Sequence, residues 1–401
     1  MKKILLSTAL VLAVSSGFAQ EKLVNKAFSE AKAETPNFSV AQSEIKEALA
    51  SPETKDNAKT WFVAGFIENK LFESERNKQL LGKQPDENQM YNALLECYKY
   101  YVKAAELDQM PNEKGKVKPK YLKDIKNTLK NDQSYFFYGG GYYYNEKNYQ
   151  KAYDLFEAYV EIPKLSFFTP EEFAVDTNMN MVQFYAAVAA SLIPNPQLAI
   201  KNYEGLKGKG YNENEVYQYL ALEYQNLGDT AKYEKTLEEG AKVFPSDPYY
   251  VQTLINLYIG RGEYPKALSY LDDAIAQEPN NAQFYDVKGR LLENEKKTDE
   301  ALALYEKAVQ INPQYAEAYA NIGRVYYNRA IEENDKADTK NYKEIFKTIV
   351  KPLFEKALPY YEKAHELKPE EKEYMVALRG IYYKLDMGDK YDQIEKQLSG
   401  N

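Results

Sequence analysis

Apolar and polar positions recur along the middle of the chain with a period of 34 residues. Pro245, Pro279 and Pro313 are spaced by this distance, and each closes a short segment of apolar and charged residues. A fixed period of this length indicates a repeated supersecondary unit. When each proline is placed at position 32, the repeats begin at Asn180, Asn214, Pro248 and Ala282.

Small and large side chains recur at fixed positions of this 34-residue repeat. Position 20 holds Ala199, Tyr233, Ala267 and Ala301, and position 24 holds Tyr203, Leu237, Leu271 and Tyr305. Small residues allow two helix backbones to approach, large apolar residues fill the adjacent holes, and a proline prevents the helix from continuing. Each repeat is therefore predicted to be a pair of antiparallel helices.

The pattern resembles the tetratricopeptide repeat, a helix-turn-helix unit of 34 residues with the signature W-x2-L-G-x2-Y, then A-x3-F, then P. The best match is formed by Tyr285, Gly289, Leu292, Ala301, Tyr305, Ala308 and Pro313. The next match is formed by Tyr319, Ile322, Gly323, Tyr326, Ala357, Tyr361, Ala364 and Pro369, with 22 extra residues between its two halves. The resemblance implies an all-α fold. Because each repeat contacts mainly its neighbours, we expect a right-handed superhelical solenoid of stacked hairpins.

The match weakens towards both ends of the chain, which sets the predicted domain organisation. Residues 20–132 are predicted to form divergent helical hairpins, residues 133–371 the repeat array, and residues 372–401 a capping hairpin. The repeats of the array are predicted near 133–179, 180–213, 214–247, 248–281, 282–315 and 316–371, the last with its insertion. The insertion is rich in charged residues and predicts lengthened helices around a polar bend.

The first 19 residues have the layout of a secretory signal peptide. Lys2 and Lys3 precede an apolar run from Ile4 to Val14, and the small residue Ala19 comes directly before Gln20. A run of this length spans only about half of a hydrocarbon core of roughly 30 Å, which disfavours an uncleaved anchor. We expect a cleaved protein that is exported across the inner membrane to the periplasm or the cell surface.

Composition and charge narrow the possible functions. Of the 401 residues, 44% are hydrophobic and 28% are charged, which is typical of a folded protein. The 60 acidic residues exceed the 52 basic ones, giving a formal charge of −8, and such a surface repels nucleic acid phosphates and anionic lipid. Nucleic acid is therefore not an expected partner.

The sequence predicts no catalytic residue, no metal site and no cofactor. Cys97 is the single cysteine and His365 the single histidine, which excludes an internal disulfide, a cysteine zinc cluster, a histidine-dependent catalytic triad and a multi-histidine metal site. Cys97 occupies a small-residue packing position and is interpreted as a buried structural thiol. The glycine run 139–141 lacks a following Gly-Lys-Ser/Thr, so we interpret it as close helix packing rather than a phosphate loop.

The unusual feature is tyrosine, with 38 copies against one tryptophan. Many occupy the packing positions of the repeat. In the resembled family the exposed first-helix positions line a concave groove, and here these positions change from aromatic to amide to charged. The candidate groove residues are Phe137, Tyr138, Tyr144, Phe184, Tyr185, Gln218, Tyr219, Gln225, Gln252, Asn256, Asp286, Arg290, Asn321, Arg324 and Asn328.

These residues favour a non-enzymatic scaffold of the bacterial cell envelope that binds a peptide or protein. Amides can pair with an extended backbone, and arginines with carboxylates. Carbohydrate binding, with sugars stacked on the tyrosine rings, is the alternative. A groove that the insertions fill, and that binds nothing specific, is the third possibility.

Overall fold

The computed structural model describes residues 20–112, 114–173, 176–338 and 340–399, and within these residues the chain is helical and has no β-strand. The predicted signal peptide, residues 1–19, lies outside the described residues. Residues 20–31 form α1. The following helices are α2 (Phe38–Ala50), α3 (Ala58–Leu80), α4 (Glu87–Asp108), α5 (Leu122–Asn145), α6 (Tyr149–Glu161), α7 (Met179–Ser191), α8 (Pro196–Leu206), α9 (Glu213–Leu227), α10 (Thr230–Val243), α11 (Pro248–Gly260), α12 (Tyr264–Gln277), α13 (Ala282–Asn294), α14 (Thr298–Ile311), α15 (Ala316–Lys336), α16 (Tyr342–Ile345), α17 (Lys351–Leu367), α18 (Lys372–Lys384) and α19 (Gly388–Ser399).

The described residues form two compact units, divided between Thr236 and Leu237, and each packs its helices in consecutive pairs. The main pairs of the first unit are α3 with α4, α5 with α6, and α7 with α8. Those of the second unit are α11 with α12, α13 with α14, α15 with α17, and α18 with α19. The predicted all-α fold of helical hairpins is confirmed.

The connections between repeats combine a proline with a helix cap. Pro279 lies two residues after the end of α12, and the side chain of Asn281 then accepts a hydrogen bond from the backbone nitrogen of Gln283 (3.2 Å). At the preceding connection, Asp247 caps α11 in the same way and Pro248 occupies the first turn. A missing N–H is harmless in a first turn, so these short segments end one helix and begin the next.

Glycines in the first helices allow aromatic rings of the second helices to pack against the backbone. A Cβ atom at Gly289 would lie 2.6 Å from the ring of Tyr305, and one at Gly323 would lie 2.7 Å from the ring of Tyr361. Both tyrosines are buried. The large residue at position 24 of the repeat thus packs directly against a glycine on the other helix of the same hairpin.

The glycine run 139–141 lies inside α5 and makes the same kind of contact. A Cβ atom at Gly140 would lie 2.4 Å from Phe156, and one at Gly139 would lie 2.7 Å from Tyr91. The interpretation as close helix packing is confirmed for these two residues. Gly141 differs, because a Cβ atom there would have no neighbour within 4 Å.

The insertion of the last repeat lengthens its hairpin. Helix α15 continues to Lys336, and a π-helical turn, Phe346–Val350, leads into α17. Ala330, Val350 and Phe354 are fully buried in one cluster. The inserted residues therefore extend the apolar core that this hairpin shares with α18 and α19.

Cys97 is buried in α4, with 2% of its surface exposed. Burial raises the pKa of its thiol well above the usual value, and nearby carboxylates raise it further. The thiolate is the nucleophilic form of cysteine, so the interpretation of Cys97 as a core residue is confirmed.

Candidate ligand-binding surfaces

The first unit contains an open cavity of about 670 Å³, which we call the aromatic cavity. First helices α5, α7 and α9 supply most of its wall, and Phe156 and Tyr203 come from second helices. Five of the sequence-predicted groove residues line it, namely Phe137, Tyr144, Phe184, Tyr185 and Tyr219. The spacing of the repeat brings these rings together from three successive hairpins.

Buried rings hold the exposed rings of the aromatic cavity in place. Tyr185 is 41% exposed, and its ring stacks on Phe156 with a centroid distance of 6.0 Å. Tyr219 is 40% exposed and lies 5.9 Å from Tyr203 and 6.3 Å from Phe184. Aromatic pairs at such separations are attractive, so the exposed rings are fixed before any ligand arrives.

A buried carboxylate completes the aromatic cavity. Glu223 lines the cavity from α9 and is only 4% exposed, yet it has no hydrogen bond or ion pair with any residue that the structure describes. Sequence analysis missed Glu223, because glutamate in a helix is usually solvated. The available signal was its spacing, since it follows Tyr219 by four residues and therefore shares its helix face.

The second unit carries a cavity of a different character, about 1160 Å³ in volume, which we call the polar groove. Helices α13, α15 and α18 and the connections before them supply its wall. Amide, charged and phenolic side chains dominate the lining, among them Asn280, Gln283, Asp286, Arg290, Asn312, Tyr315, Glu317, Asn321 and Glu373. A neighbouring cavity of about 520 Å³ shares Arg290 with the groove and adds Asn256 and Arg324.

Asp286 links two first helices beneath the polar groove. It is 2% exposed and accepts hydrogen bonds from the Asn321 amide (2.7 Å) and the Tyr315 hydroxyl (3.2 Å). The Arg290 side chain lies 3.2 Å away. Burial raises the pKa of Asp286, while Arg290 and the two hydrogen bonds oppose that shift. Asp286 thus holds α15 against α13, and its oxygens are already engaged.

Arg324 is held in the same manner. Its two terminal nitrogens donate to Glu293 at 2.6 and 2.9 Å, and the Tyr305 hydroxyl also donates to Glu293 at 2.9 Å. A bidentate pair of this kind fixes both side chains. Arg324 therefore joins α13 to α15, whereas Arg290, with a side chain 55% exposed, presents its guanidinium to the groove.

The remaining candidate residues lie outside the linings of these three cavities. Tyr138 is 58% exposed, and the others are half-buried or exposed. They are Gln218, Gln225, Gln252 and Asn328. Ligand binding by each of the sequence-predicted residues stays a prediction.

Within the described residues, no group of three or more histidine, cysteine, aspartate or glutamate side chains is arranged to hold a metal ion. None of the helices in this part of the chain has the length and apolarity needed to cross a membrane.

Comparisons with known proteins locate the repeat. Residues 289–329 match the family model described as TPR repeat. The curated relative Protein O-mannosyl-transferase TMTC1 of Homo sapiens is 24% identical over 178 residues, which cover 43% of this chain and 18% of that relative. The chain thus spans less than a fifth of the length of that relative.

Similar solved structures include a crystal structure of MamA, at 18% identity, a TM-score of 0.36 and coverage of 47% of this chain and 92% of that chain. Residues 41 to the end of MamA from Desulfovibrio magneticus RS-1 match at 16% identity and a TM-score of 0.33, covering 49% and 99%. YrrB, described as a TPR protein with an unusual peptide-binding site, matches at 19% identity and a TM-score of 0.34, covering 49% and 91%.

The family match spans the second half of α13, all of α14 and most of α15. Within it Gly289 packs against Tyr305, and Gly323 packs against Tyr361 of α17, which lies beyond the match. The same glycine-to-ring contact recurs between α5 and α6, where Gly140 packs against Phe156. Residues 289–329 thus carry a match to the TPR repeat, and helical hairpins with the same kind of contact lie outside this match.

Proposed function

We propose that this protein is a non-enzymatic scaffold that binds an extended peptide segment of a protein partner in the polar groove. The observation that carries the proposal is the groove itself, which exposes amide and charged side chains along successive first helices. Gln283, Arg290 and Glu373 are exposed there. Amides can donate to and accept from a peptide backbone, and charged side chains can select the residues of the peptide.

The size of the polar groove suits a short peptide. Helices packed side by side lie about 8 to 10 Å apart, so three first helices span about 20 Å. An extended chain rises about 3.3 Å per residue, and about six residues would therefore cross the groove. Rigid walls favour such binding, because Asp286 and Glu293 tie α13 to α15 before the peptide enters.

The proposed cellular setting is the bacterial envelope. It is supported by the signal-peptide layout of the first 19 residues, which would export the protein beyond the inner membrane. The acidic surface supports a protein partner over nucleic acid.

Substitutions in the polar groove test the proposal. The double variant Gln283→Ala/Arg290→Ala removes two exposed lining side chains, and we expect recovery of the partner in a crosslinking pull-down from an envelope fraction to fall severalfold. The matched control is Asp273→Ala/Lys307→Ala, which changes exposed residues of second helices α12 and α14 outside the groove. Equal recovery with the groove variant and the control would contradict the proposal.

Carbohydrate binding stays the second candidate, and the exposed rings of Tyr144, Tyr185 and Tyr219 are the observation that favours it. Aromatic faces with amide neighbours can stack against sugars. A glycan array probed with the protein separates the candidates. Saturable glycan binding that Tyr185→Leu abolishes would support a carbohydrate ligand.

A further inference from the structure

We propose that the aromatic cavity binds an arginine side chain of the protein partner, with Glu223 pairing with the guanidinium and the rings of Tyr185 and Tyr219 contacting its faces. The inference rests on the proposed function, since it names one side chain that the partner presents. It concerns the first unit alone and does not involve the polar groove.

Glu223 provides the negative charge that would pair with the guanidinium group of the ligand. Burying a carboxylate is costly unless a hydrogen-bonding or charged partner compensates for the lost water. Glu223 is more than nine-tenths buried, and the described residues give it no such partner. Among the residues that the structure describes, no lysine or arginine lines the cavity. A cationic ligand would supply the missing partner from outside.

The rings select the kind of cation. Aromatic faces carry partial negative charge and attract cations within about 6 Å of the ring centroid. Arginine is favoured over lysine at such sites, because its planar guanidinium is weakly hydrated, stacks on rings and pairs with a carboxylate through two hydrogen bonds. The 670 Å³ cavity has room for the side chain and for part of a backbone.

The same unit shows this arrangement with an arginine of its own. The Arg76 guanidinium lies 5.4 Å from the ring centroids of both Phe72 and Tyr135, and its Nη1 atom is 3.1 Å from Asp132. Asp132 is 6% exposed, much like Glu223. The aromatic cavity presents the rings and the buried carboxylate without the arginine.

Binding of model peptides by the full chain tests the inference. The probe is acetyl-Gly-Arg-Gly-amide, and its matched control contains citrulline, which has nearly the same shape as arginine but no charge. We expect saturable binding of the arginine peptide by isothermal titration calorimetry or NMR, and at least tenfold weaker binding of the citrulline peptide. Absence of saturable binding up to about 10 mM, a limit near 2.7 kcal/mol of binding free energy, would overturn the inference. Equal binding of both peptides, or stronger binding of a lysine peptide or a neutral sugar, would also overturn it.

Variants assign the binding to the cavity. Glu223→Gln keeps the size of the side chain and removes its charge, and we expect it to weaken binding of the arginine peptide at least tenfold. The control Glu215→Gln changes an exposed glutamate on the same helix and should leave binding unchanged. Tyr185→Leu provides a second test from a different helix and should weaken binding severalfold. Circular dichroism melting curves verify that each variant is folded.

The outcome separates the inference from the proposed function. If Glu223→Gln leaves peptide binding unchanged, the arginine site is wrong, while the polar groove can still bind its partner. If the polar-groove variant leaves partner recovery unchanged but Glu223→Gln abolishes arginine binding, the peptide-groove proposal is wrong and the arginine site stands.

Discussion

Polar contacts of single tyrosines join neighbouring repeats, in addition to the apolar packing between them. In three first helices, the tyrosine at position 11 of the 34-residue repeat donates its hydroxyl to a glutamate 20 residues earlier, which lies on the second helix of the preceding hairpin. Its ring also lies near a lysine ammonium group eight residues later. These triads are Glu204, Tyr224 and Lys232; Glu238, Tyr258 and Lys266; and Glu362, Tyr382 and Lys390. The sequence predicted Tyr224 and Tyr258 as packing residues of the array, but their polar contacts join separate helices and have no local signature.

Buried carboxylates at the residue scale make stability depend on pH. Burial raises the pKa of Glu68 from 4.5 to about 7, while the hydrogen bond donated by Gln42 (2.8 Å) opposes the shift. Between these two values the native state binds more protons than the unfolded state, so the free energy of unfolding falls as pH rises. The raised pKa predicts a loss of up to about 3 kcal/mol across this interval from Glu68 alone.

The variant Glu68→Gln tests this dependence. It keeps an oxygen for Gln42 and has no charge to bury, so we expect it to be more stable than the natural chain at pH 8, and the difference to shrink towards pH 4. The measurement is urea unfolding at several pH values. Glu47→Gln, an exposed position on α2, is the control and should follow the natural chain. Parallel pH profiles for Glu68→Gln and the natural chain would show that Glu68 is not responsible.

At the scale of elements, the glycine-to-ring contact was predictable wherever the 34-residue register held. Tyr305 was found from the 34-residue spacing and Gly289 from the resemblance to the tetratricopeptide signature, because the contact is fixed by two positions of one hairpin. The bounds of α5 were harder to predict. This helix begins at Leu122, before the expected repeat start at Gln133, because Ile125 and Leu129 are buried and extend its apolar face.

Two glycines with opposite surroundings test the contact. Gly289→Ala should destabilise the second unit by about 1 to 3 kcal/mol, because the new methyl group overlaps the Tyr305 ring. The ring cannot withdraw without giving up its hydrogen bond to Glu293. Gly141→Ala has open space and should stabilise α5 by about 0.5 to 1 kcal/mol. Thermal melting with hydrogen exchange measures both. Equal effects of the two substitutions would refute the predicted contact.

At the scale of the whole molecule, the sequence predicted more of the fold than of the binding surfaces. The fold follows from a 34-residue pattern that recurs along the chain. Each repeat that matches this pattern therefore supports the assignment of its neighbours as helical hairpins. Binding surfaces depend on single side chains that differ between repeats. The aromatic row was predicted because rings at matching first-helix positions are unusual. Glu223 was missed and the pairing of Arg324 with Glu293 was not foreseen, because partners on other helices determine whether a charged side chain is engaged.

Site-specific photocrosslinking in cells that produce the protein tests the central claim, which is that the first-helix surface of the repeats binds a protein partner. A photoreactive amino acid would replace Gln283 in the polar groove, and in a separate variant it would replace exposed Lys307 on second helix α14. Our account predicts a discrete crosslinked adduct from position 283, mapped by mass spectrometry to one peptide segment of the partner, and none from position 307. Adducts of equal yield at both positions, or at position 307 alone, would contradict it.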